Sequence, residues 1–427
     1  MEKYLCSLIS KPRLQEFAIH ELISLSSLFQ IPPTTLFSSY TLTPSPTPEV
    51  FSSHFTPLLS QNPYIQVSLP AEACQKIASR SVSIERFSYF ISSGSSLEEL
   101  ISNTLKSYNE DPKIQGIISN DSSFAFRFDT YNKKLSQPEK ESIINSFSSV
   151  PLNGKVELKG PGRTFIVSIC GNHYYFSLET AKSKQKRCSF YSKYNLPQRE
   201  YLGPTTTDIE LAMLMVNQAQ IVENSFVLDP FVGTGGVLLA ASVFKPVCFG
   251  GDIDMRVLKG LAVGRSTKGT QADIFTNFKN YGFRTPEIYR CDNSNPCIKR
   301  LEIFDAVICD PPYGVRAGSR KSVKGSTEVY EGKKVFWDLM ELADRVLKVG
   351  GRLVFLLPTE RELYDDKALP RHPRLEIIAN SENVLSRKIS RRLITMVKLE
   401  MGEGEAEGEG NLFYNDIRNT WYRKEMR

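Results

Sequence analysis

Apolar positions along this chain follow two different rhythms, and the change between them comes near residue 200. Residues 4 to 9 form a strand-like run, after which Leu14, Phe17, Leu22 and Leu25 recur at helical spacing. From Tyr64 the pattern predicts a strand over 64–69, a helix over 71–80, a strand over 82–91 and a helix over 97–108. A strand over 123–129, a helix over 137–147 and strands near 155–159, 164–170 and 174–178 follow. That mixed order is the mark of an α+β region. Beyond residue 200, short apolar runs that end in Gly or Asp alternate with amphipathic stretches, as in Phe226-Val227-Leu228, Val247-Cys248-Phe249, Ile288-Tyr289 and Phe304-Asp305-Ala306-Val307-Ile308-Cys309. Strand and helix in alternation predict an open parallel α/β sheet. After the strand Leu353-Val354-Phe355-Leu356-Leu357, two runs near 374–379 and 393–399 read as a terminal antiparallel pair. Arg387, Lys388, Arg391 and Arg392 lie in its connection, placed to hold phosphate beside the crevice or to form a charged loop.

Some stretches have neither rhythm. Residues 31 to 62, with Thr43-Pro44-Ser45-Pro46-Thr47-Pro48, are expected to form a long loop or to be partly disordered. The Gly/Glu-rich tail 401–427 is expected to be disordered and to hold no site. The expected organisation is an N-terminal α+β segment with a Ser/Pro-rich loop (1–62), a second α+β region (63–180), a basic linker (181–200), an α/β domain (201–400) and the tail (401–427). A chain of 427 residues with 41% hydrophobic content can bury more than one core, which agrees with this division.

Composition narrows the partners. There is no run of 18 apolar residues, and Met1-Glu2-Lys3 is not followed by a signal-peptide cleavage region, so the chain is expected to be soluble and cytoplasmic, with no membrane partner. The eight cysteines include no C-x-x-C pair and there are four histidines, so neither a disulfide framework nor a zinc site of usual spacing is expected. The net charge is +6; without Glu403, Glu405, Glu407 and Glu409 the remainder carries about +10, which is compatible with a polyanionic partner. In the linker, Lys182, Lys184, Lys186, Arg187, Lys193 and Arg199 interleave with Phe190, Tyr191 and Tyr194. Cations beside rings suit an RNA backbone and its bases, or the rings pack on the next domain and the cations are merely solvated.

The candidate chemistry lies at the strand ends. Asp310-Pro311-Pro312-Tyr313 directly follows an apolar strand, which would set a carboxylate, rigid carbonyls and a ring around one flat ligand. This suits methylation of an exocyclic amino group, whose lone pair is delocalised and whose N–H protons need acceptors as the nitrogen becomes tetrahedral. Asp310 and the carbonyl of Pro311 would be those acceptors, with Tyr313 stacked on the base. The same residue types also occur at an ordinary strand-to-loop exit, and the upstream sequence decides between the two. There, Asp229-Pro230-Phe231-Val232-Gly233-Thr234-Gly235-Gly236 leads from a strand through a glycine turn to a helix, the context of a nucleotide-type ligand. Leu238 stands where a dinucleotide fingerprint has its third glycine, which disfavours a pyrophosphate site. Asp252 ends the next strand, placed to take ribose hydroxyls, and Asp292 follows the third, where an acid suits an adenine amino group. Asp254 either contacts the ligand or caps the helix beginning at Met255, the cap being favoured; Asp273 is a cap by default. In an open parallel sheet these ends share one crevice, and S-adenosylmethionine fits it, with its sulfonium toward Asp310.

Taken together, Tyr201-Leu202-Gly203-Pro204-Thr205-Thr206-Thr207-Asp208, the Asp229–Gly236 loop and Asp310–Gly318 resemble the catalytic subunit of eukaryotic tRNA guanosine 2-N-methyltransferase. The resemblance is specific over about 200–400, looser over 64–200 and weakest before residue 60. It implies a Rossmann-like class I methyltransferase sheet preceded by an α+β, THUMP-containing RNA-binding region. It also implies methylation of guanosine at tRNA position 10, and a small zinc-binding activator protein as partner. By the same match Asp310, Pro311 and Tyr313 take the base-site role, while Asp229, Phe231, Gly233, Thr234, Gly235, Asp252 and Asp292 take cofactor contacts. Thr205 and Asp208 border the crevice; the Thr triplet, where the family often has Ser, is a mild departure. A DNA adenine or protein glutamine amino-group methyltransferase is the nearest rival. A non-catalytic RNA-binding protein that retains the fold is a second rival, and the acids at 252, 292 and 310 argue against it.

Overall fold

A computed structural model of the chain describes residues 1–9, 12–40, 62–182, 190–203, 206–261, 265–266, 272–295, 298–312, 320–323, 326–329 and 332–400. The chain divides into two compact units: Met1–Pro46 with Phe51–Arg187, and Thr47–Val50 with Cys188–Arg427.

The first unit is built on a six-stranded sheet of β1 (Glu2–Leu8), β2 (Tyr64–Leu69), β3 (Ile84–Gly94), β4 (Phe124–Thr130), β5 (Arg163–Cys170) and β6 (His173–Lys182), in the order β2-β1-β3-β6-β5-β4. All pairs are antiparallel except β4 and β5. One core joins β1, β2 and β3 to the helices Pro12–Ser27 and Ala71–Arg80; another packs Phe124, Phe147, Phe165 and Phe176 beneath β4 to β6. Two of the buried charges here serve the backbone, while Arg86 pairs with Glu85 (2.8 Å) and Asp129 (2.9 Å). Glu21 accepts from the hydroxyl of Ser81 (2.7 Å) and the N–H groups of Val82 (2.8 Å) and Ser83 (2.9 Å). Arg163 donates to the carbonyls of Asn120 (2.5 Å), Ser122 (2.9 Å) and Asn153 (2.7 Å).

Three expectations change in this unit. A helix, Pro112–Ile118, forms where the apolar pattern showed none; Asp111 caps it by accepting from Lys113 (2.8 Å), and Pro112 sits where a missing N–H costs nothing. The segment near 155–159 is not a strand but a single bridge from Val156 to Phe124, with Val156 61% and Leu158 82% exposed. Its alternating pattern meets no second face, and Gly154 (φ 96°) and Gly160 (φ 69°) bend the chain on either side. Third, the opening of the stretch read as a loop is folded: Pro33–Leu36 is a short helix, and Ile31, Leu36 and Phe37 lie in the first core. The remainder of that stretch, 41–61, and the tail 401–427 lie outside the described residues.

The second unit contains β7 (Tyr201–Leu202), β8 (Phe226–Asp229), β9 (Val247–Asp252), β10 (Arg265–Ser266), β11 (Glu287–Arg290), β12 (Phe304–Cys309), β13 (Arg320–Val323), β14 (Ser326–Val329), β15 (Leu347–Glu360), β16 (Leu375–Val384) and β17 (Ile389–Lys398). Seven form one sheet in the order β11-β9-β8-β12-β15-β17-β16. Strands β11 to β15 of that order are parallel, and β17 runs antiparallel between β15 and β16. Helices cover the sheet: Gly332–Val346 packs its apolar side on β12 and β15, and Ile209–Gln218, buried along nearly all its length, packs on Gly236–Ala241. The chain builds outward from β8 to β9 and β11, then returns to the other side of β8 as β12. Order therefore reverses between β8 and β12, which opens a crevice beyond their carboxyl ends. The expected terminal pair is present, but its connection is shorter than expected, and Arg391 and Arg392 lie within β17. No helix among the described residues is long and apolar enough to cross a membrane.

Candidate active site

Strands β8 and β12 run level, Leu228 beside Val307, so Asp229 and Asp310 emerge at the reversal point. Asp229 is buried and accepts from the N–H of Phe231 (2.9 Å). Burial pushes its carboxyl pKa well up, and the charges of Asp252 and Asp310 push the same way. Asp310 accepts from the hydroxyl of Thr207 (2.8 Å) at Oδ2, and the guanidinium of Arg391 lies 3.6 Å from that oxygen. Pro311, next in the chain, is buried. Tyr313, the residue expected to stack on the base, lies outside the described residues, as do Gly314 to Gly318 and Thr205.

The glycine loop is held by its neighbours. Gly233 (φ 48°) and Gly235 (φ 79°) are left-handed, and a Cβ at Gly235 would come within 3.0 Å of Ile274 and 3.1 Å of Phe278. The N–H of Gly233 donates to Asp252 Oδ2 (2.9 Å), and the N–H of Asp254 donates to the other oxygen (2.9 Å). Burial raises the Asp252 pKa while those N–H groups hold it down. Asp252 thus links the end of β9 to the turn after β8. Thr234 shares a hydrogen bond with Thr206 (3.0 Å), whose hydroxyl accepts from Gly203 (2.9 Å); Phe231 packs at the edge of the core.

Asp292 accepts from the N–H (3.0 Å) and hydroxyl (2.7 Å) of Ser294, closing a tight turn, and Asn293 donates to the carbonyl of Pro230 (2.7 Å). The loop after β11 is thereby tied to the glycine loop. Asp338, on the helix Gly332–Val346, has its pKa pushed up to about 6, first by burial and then by the charge of Asp292.

Other acids are structural. Asp254 caps its helix, accepting from Arg256 (3.0 Å) and pairing with that guanidinium, and Asp273 forms a capping box with Thr276. Asp208 caps the helix Ile209–Gln218 rather than reaching Asp310; the crevice contacts of its motif come from Thr206 and Thr207. In the linker, Tyr191 and Tyr194 are buried, Tyr194 against Tyr281 (5.0 Å) and Phe283 (5.3 Å), and Phe190 meets Phe244 (6.4 Å). Arg199 is buried too, donating to the carbonyl of Tyr194 (2.8 Å), with its pKa pushed down to about 10 by burial. The burial of Tyr191 and Tyr194 in their own unit removes these two from RNA stacking, while Phe190 is half-buried; Lys184, Lys186 and Arg187 lie outside the described residues. Arg392 donates to Asn380 (2.8 Å) and lies over the ring of Tyr364 (4.2 Å). Sequence reasoning missed Thr207 and Asn293 as members of the site, and it placed Arg391 beside the crevice without foreseeing its contact with Asp310. For Thr207 a signal existed inside a motif already singled out.

Two family models match adjacent parts of the chain: "Tmrp11 THUMP N-terminal domain" over residues 51–192 and "RMKL-like, methyltransferase domain" over residues 197–368. The tRNA (guanine(10)-N(2))-methyltransferase TRMT11 of Pongo abelii is 33% identical over 382 residues, spanning 80% of this chain and 81% of its own length. That of Homo sapiens is 32% identical over 382 residues with the same coverage. That of Dictyostelium discoideum is 32% identical over 446 residues, spanning 93% of this chain and 82% of its own. Among solved structures, TrmN from Thermus thermophilus superimposes with a TM-score of 0.41 and 18% identity, covering 93% of this chain and 100% of that one.

Proposed function

The chain belongs to the tRNA (guanine(10)-N(2))-methyltransferase TRMT11 family, and from that membership we propose that it transfers a methyl group from S-adenosylmethionine to the 2-amino group of guanosine 10 in tRNA. One observation carries the reading: Asp310 and Pro311 stand directly after β12, across the reversal point from the glycine loop after β8. An acceptor for amino protons and a nucleotide-type loop then face one crevice.

The residues present fit the cofactor. Among the described residues a Cβ at Gly233 would meet only the carbonyl of Phe231, at 3.9 Å, which leaves the backbone of the left-handed turn accessible to a ligand. Asp252 would take the ribose hydroxyls and Asp292 the adenine amino group, with Asp229, Phe231, Thr234 and Gly235 shaping the loop between them. When bound, S-adenosylmethionine supplies an electrophilic methyl group on a sulfonium, and the electrons of the broken S–C bond stay on sulfur. Tyr313 stacks on the guanine taken out of its helix. Asp310 and the carbonyl of Pro311 accept from the 2-amino group as its lone pair forms the new N–C bond, and Asp310 takes the proton that must leave. These acceptors strengthen as the nitrogen gains positive charge, so they act on the rate rather than on ground-state binding.

The region 63–180 captures the tRNA, a small zinc-binding activator protein partners the chain, and the reaction takes place in the cytoplasm. The family relatives favour tRNA over the DNA and protein substrates that similar motifs serve. The test is single-turnover methyl transfer with saturating tRNA and cofactor, the product nucleoside being mapped. Asp310→Ala is expected to slow transfer by about tenfold to a hundredfold while cofactor affinity is kept. A normal rate, or a methyl group on another nucleoside, would overturn the assignment.

A further inference from the structure

We propose that Arg391 and Thr207 are positioning residues for Asp310, an inference that rests on the Asp310 reading above. Both meet the same carboxylate oxygen, Oδ2, at 3.6 Å and 2.8 Å. They come from opposite ends of the unit's sequence. Thr207 stands just before the helix Ile209–Gln218, and Arg391 lies on β17, opposite Pro358 of β15. Because β15 separates β17 from β12, the guanidinium must cross two strand spacings, roughly 10 Å, to meet the residue that follows β12. A long side chain is needed there. The pair is also largely shielded, with both side chains 13% exposed, so the charges are screened less than on an open surface.

The surroundings explain why such support matters. Asp310 is near enough to the β8 end for its charge to add to the rise in the Asp229 pKa, so two acids share the reversal point. Arg391 offsets that repulsion, and Thr207 fixes the plane of the carboxyl group by a hydrogen bond. Neither touches the reacting atoms. Their effect is to present Asp310 ionised and already oriented, which a transition-state acceptor requires. The other use of an arginine here, holding an RNA phosphate, makes a different prediction.

The experiment measures single-turnover rate, tRNA affinity over a range of salt, and cofactor affinity for Arg391→Ala, Arg391→Lys, Thr207→Val and Thr207→Ser in the full chain with its partner. Loss of a charge-assisted contact is expected to slow the saturated rate about tenfold for Arg391→Ala and somewhat less for Thr207→Val, with affinities within about twofold. Arg391→Lys and Thr207→Ser should restore most of the rate. In the Asp310→Ala background the same changes should cost no further rate, because their action passes through that carboxylate. A normal saturated rate for Arg391→Ala, with weaker tRNA binding and a shallower salt dependence, would assign Arg391 to phosphate and overturn the proposal. If Arg391→Ala does not fold, Thr207→Val carries the test alone. Slow Asp310→Ala with normal Arg391 and Thr207 variants would sink this inference and spare the Asp310 reading; normal Asp310→Ala would sink the reading itself.

Discussion

The two ends of the sheet in the second unit both gather charge, and they treat it in opposite ways. At the amino end, Lys398 is fully buried, 2.9 Å from Glu302, and donates to the carbonyls of Asp344 (2.5 Å) and Leu347 (2.7 Å). Asp344 pairs with Arg300 (2.6 Å) and Arg374 (2.9 Å). The hydrogen bond from Lys398 pulls the Glu302 pKa down. At the carboxyl end, burial pushes the Asp229 and Asp252 pKa values up, and neighbouring acids add to the rise. One end closes its charges into pairs and is structural. The other pairs Asp310 with Arg391 but keeps Asp229 and Asp252 among further acids at a cost in stability, which a fold tolerates where a ligand is to be met. Parallel strands make the second arrangement available, because their carboxyl ends lie side by side; in the largely antiparallel first unit, neighbouring strand ends alternate, and the buried charges bind backbone, as Glu21 and Arg163 do, or pair with acids, as Arg86 does with Glu85 and Asp129.

The contrast breaks most readily at the paired end. Lys398→Met leaves two buried carbonyls without their donor, while Glu302 keeps Arg300 and Arg374 beside it, and is expected to cost about 2–6 kcal/mol of stability. Urea unfolding should show the lower midpoint, while folded protein keeps its single-turnover rate. An unchanged midpoint would mean that the network does not hold this end. At the acid end the expected loss is smaller and falls on binding. Asp252→Ala removes charge-assisted hydrogen bonds of about 1.5–3 kcal/mol, weakening S-adenosylmethionine roughly 10- to 150-fold. Calorimetric titration reads this directly, and unchanged affinity would remove Asp252 from the cofactor site.

What the sequence disclosed follows the same physics. Asp229, Asp252 and Asp310 were legible because each ends or follows a local apolar run, and the position of a strand end is a property of neighbouring residues. The caps at Asp254 and Asp273 were legible for the same reason. The contact of Thr207 with Asp310 spans 103 residues, and that of Arg391 with Asp310 depends on the insertion of β17 beside β15; no local pattern encodes either. The linker rings were ambiguous because Tyr194 is buried by Tyr281 and Phe283, which arrive from far along the chain. The helix Pro112–Ile118 was missed because seven residues give too few turns for a period to show, although Asp111-Pro112 carried a start signal. Near Val156 the error ran the other way: an alternating pattern was present, but there was no sheet face to bury it.

The finest test of the contrast is its sign with pH. Asp338, beside Asp292 on the acid side, has its pKa raised from 3.8 to about 6 by burial, then by Asp292 and Glu341, with Arg345 opposing. A raised acid holds its proton longer when folded, so its contribution to stability is complete below the unfolded value and is lost as pH climbs through about 6. Glu302, at the paired end, is lowered, so its contribution is present above its ordinary value and is lost as pH falls. Acid should therefore favour one end of the sheet and weaken the other. Asp338→Asn removes the titration, and its melting temperature should match the parent below about pH 4 and exceed it at pH 8, the gap opening between those limits. Because Asp338 is partly exposed, solvent screening should keep that gap under about 1 kcal/mol. Melting curves of parent and variant across this range would decide the matter: a gap that does not change with pH would mean that Asp338 acts through packing, and the acid end would lose its claim to stored charge at this residue.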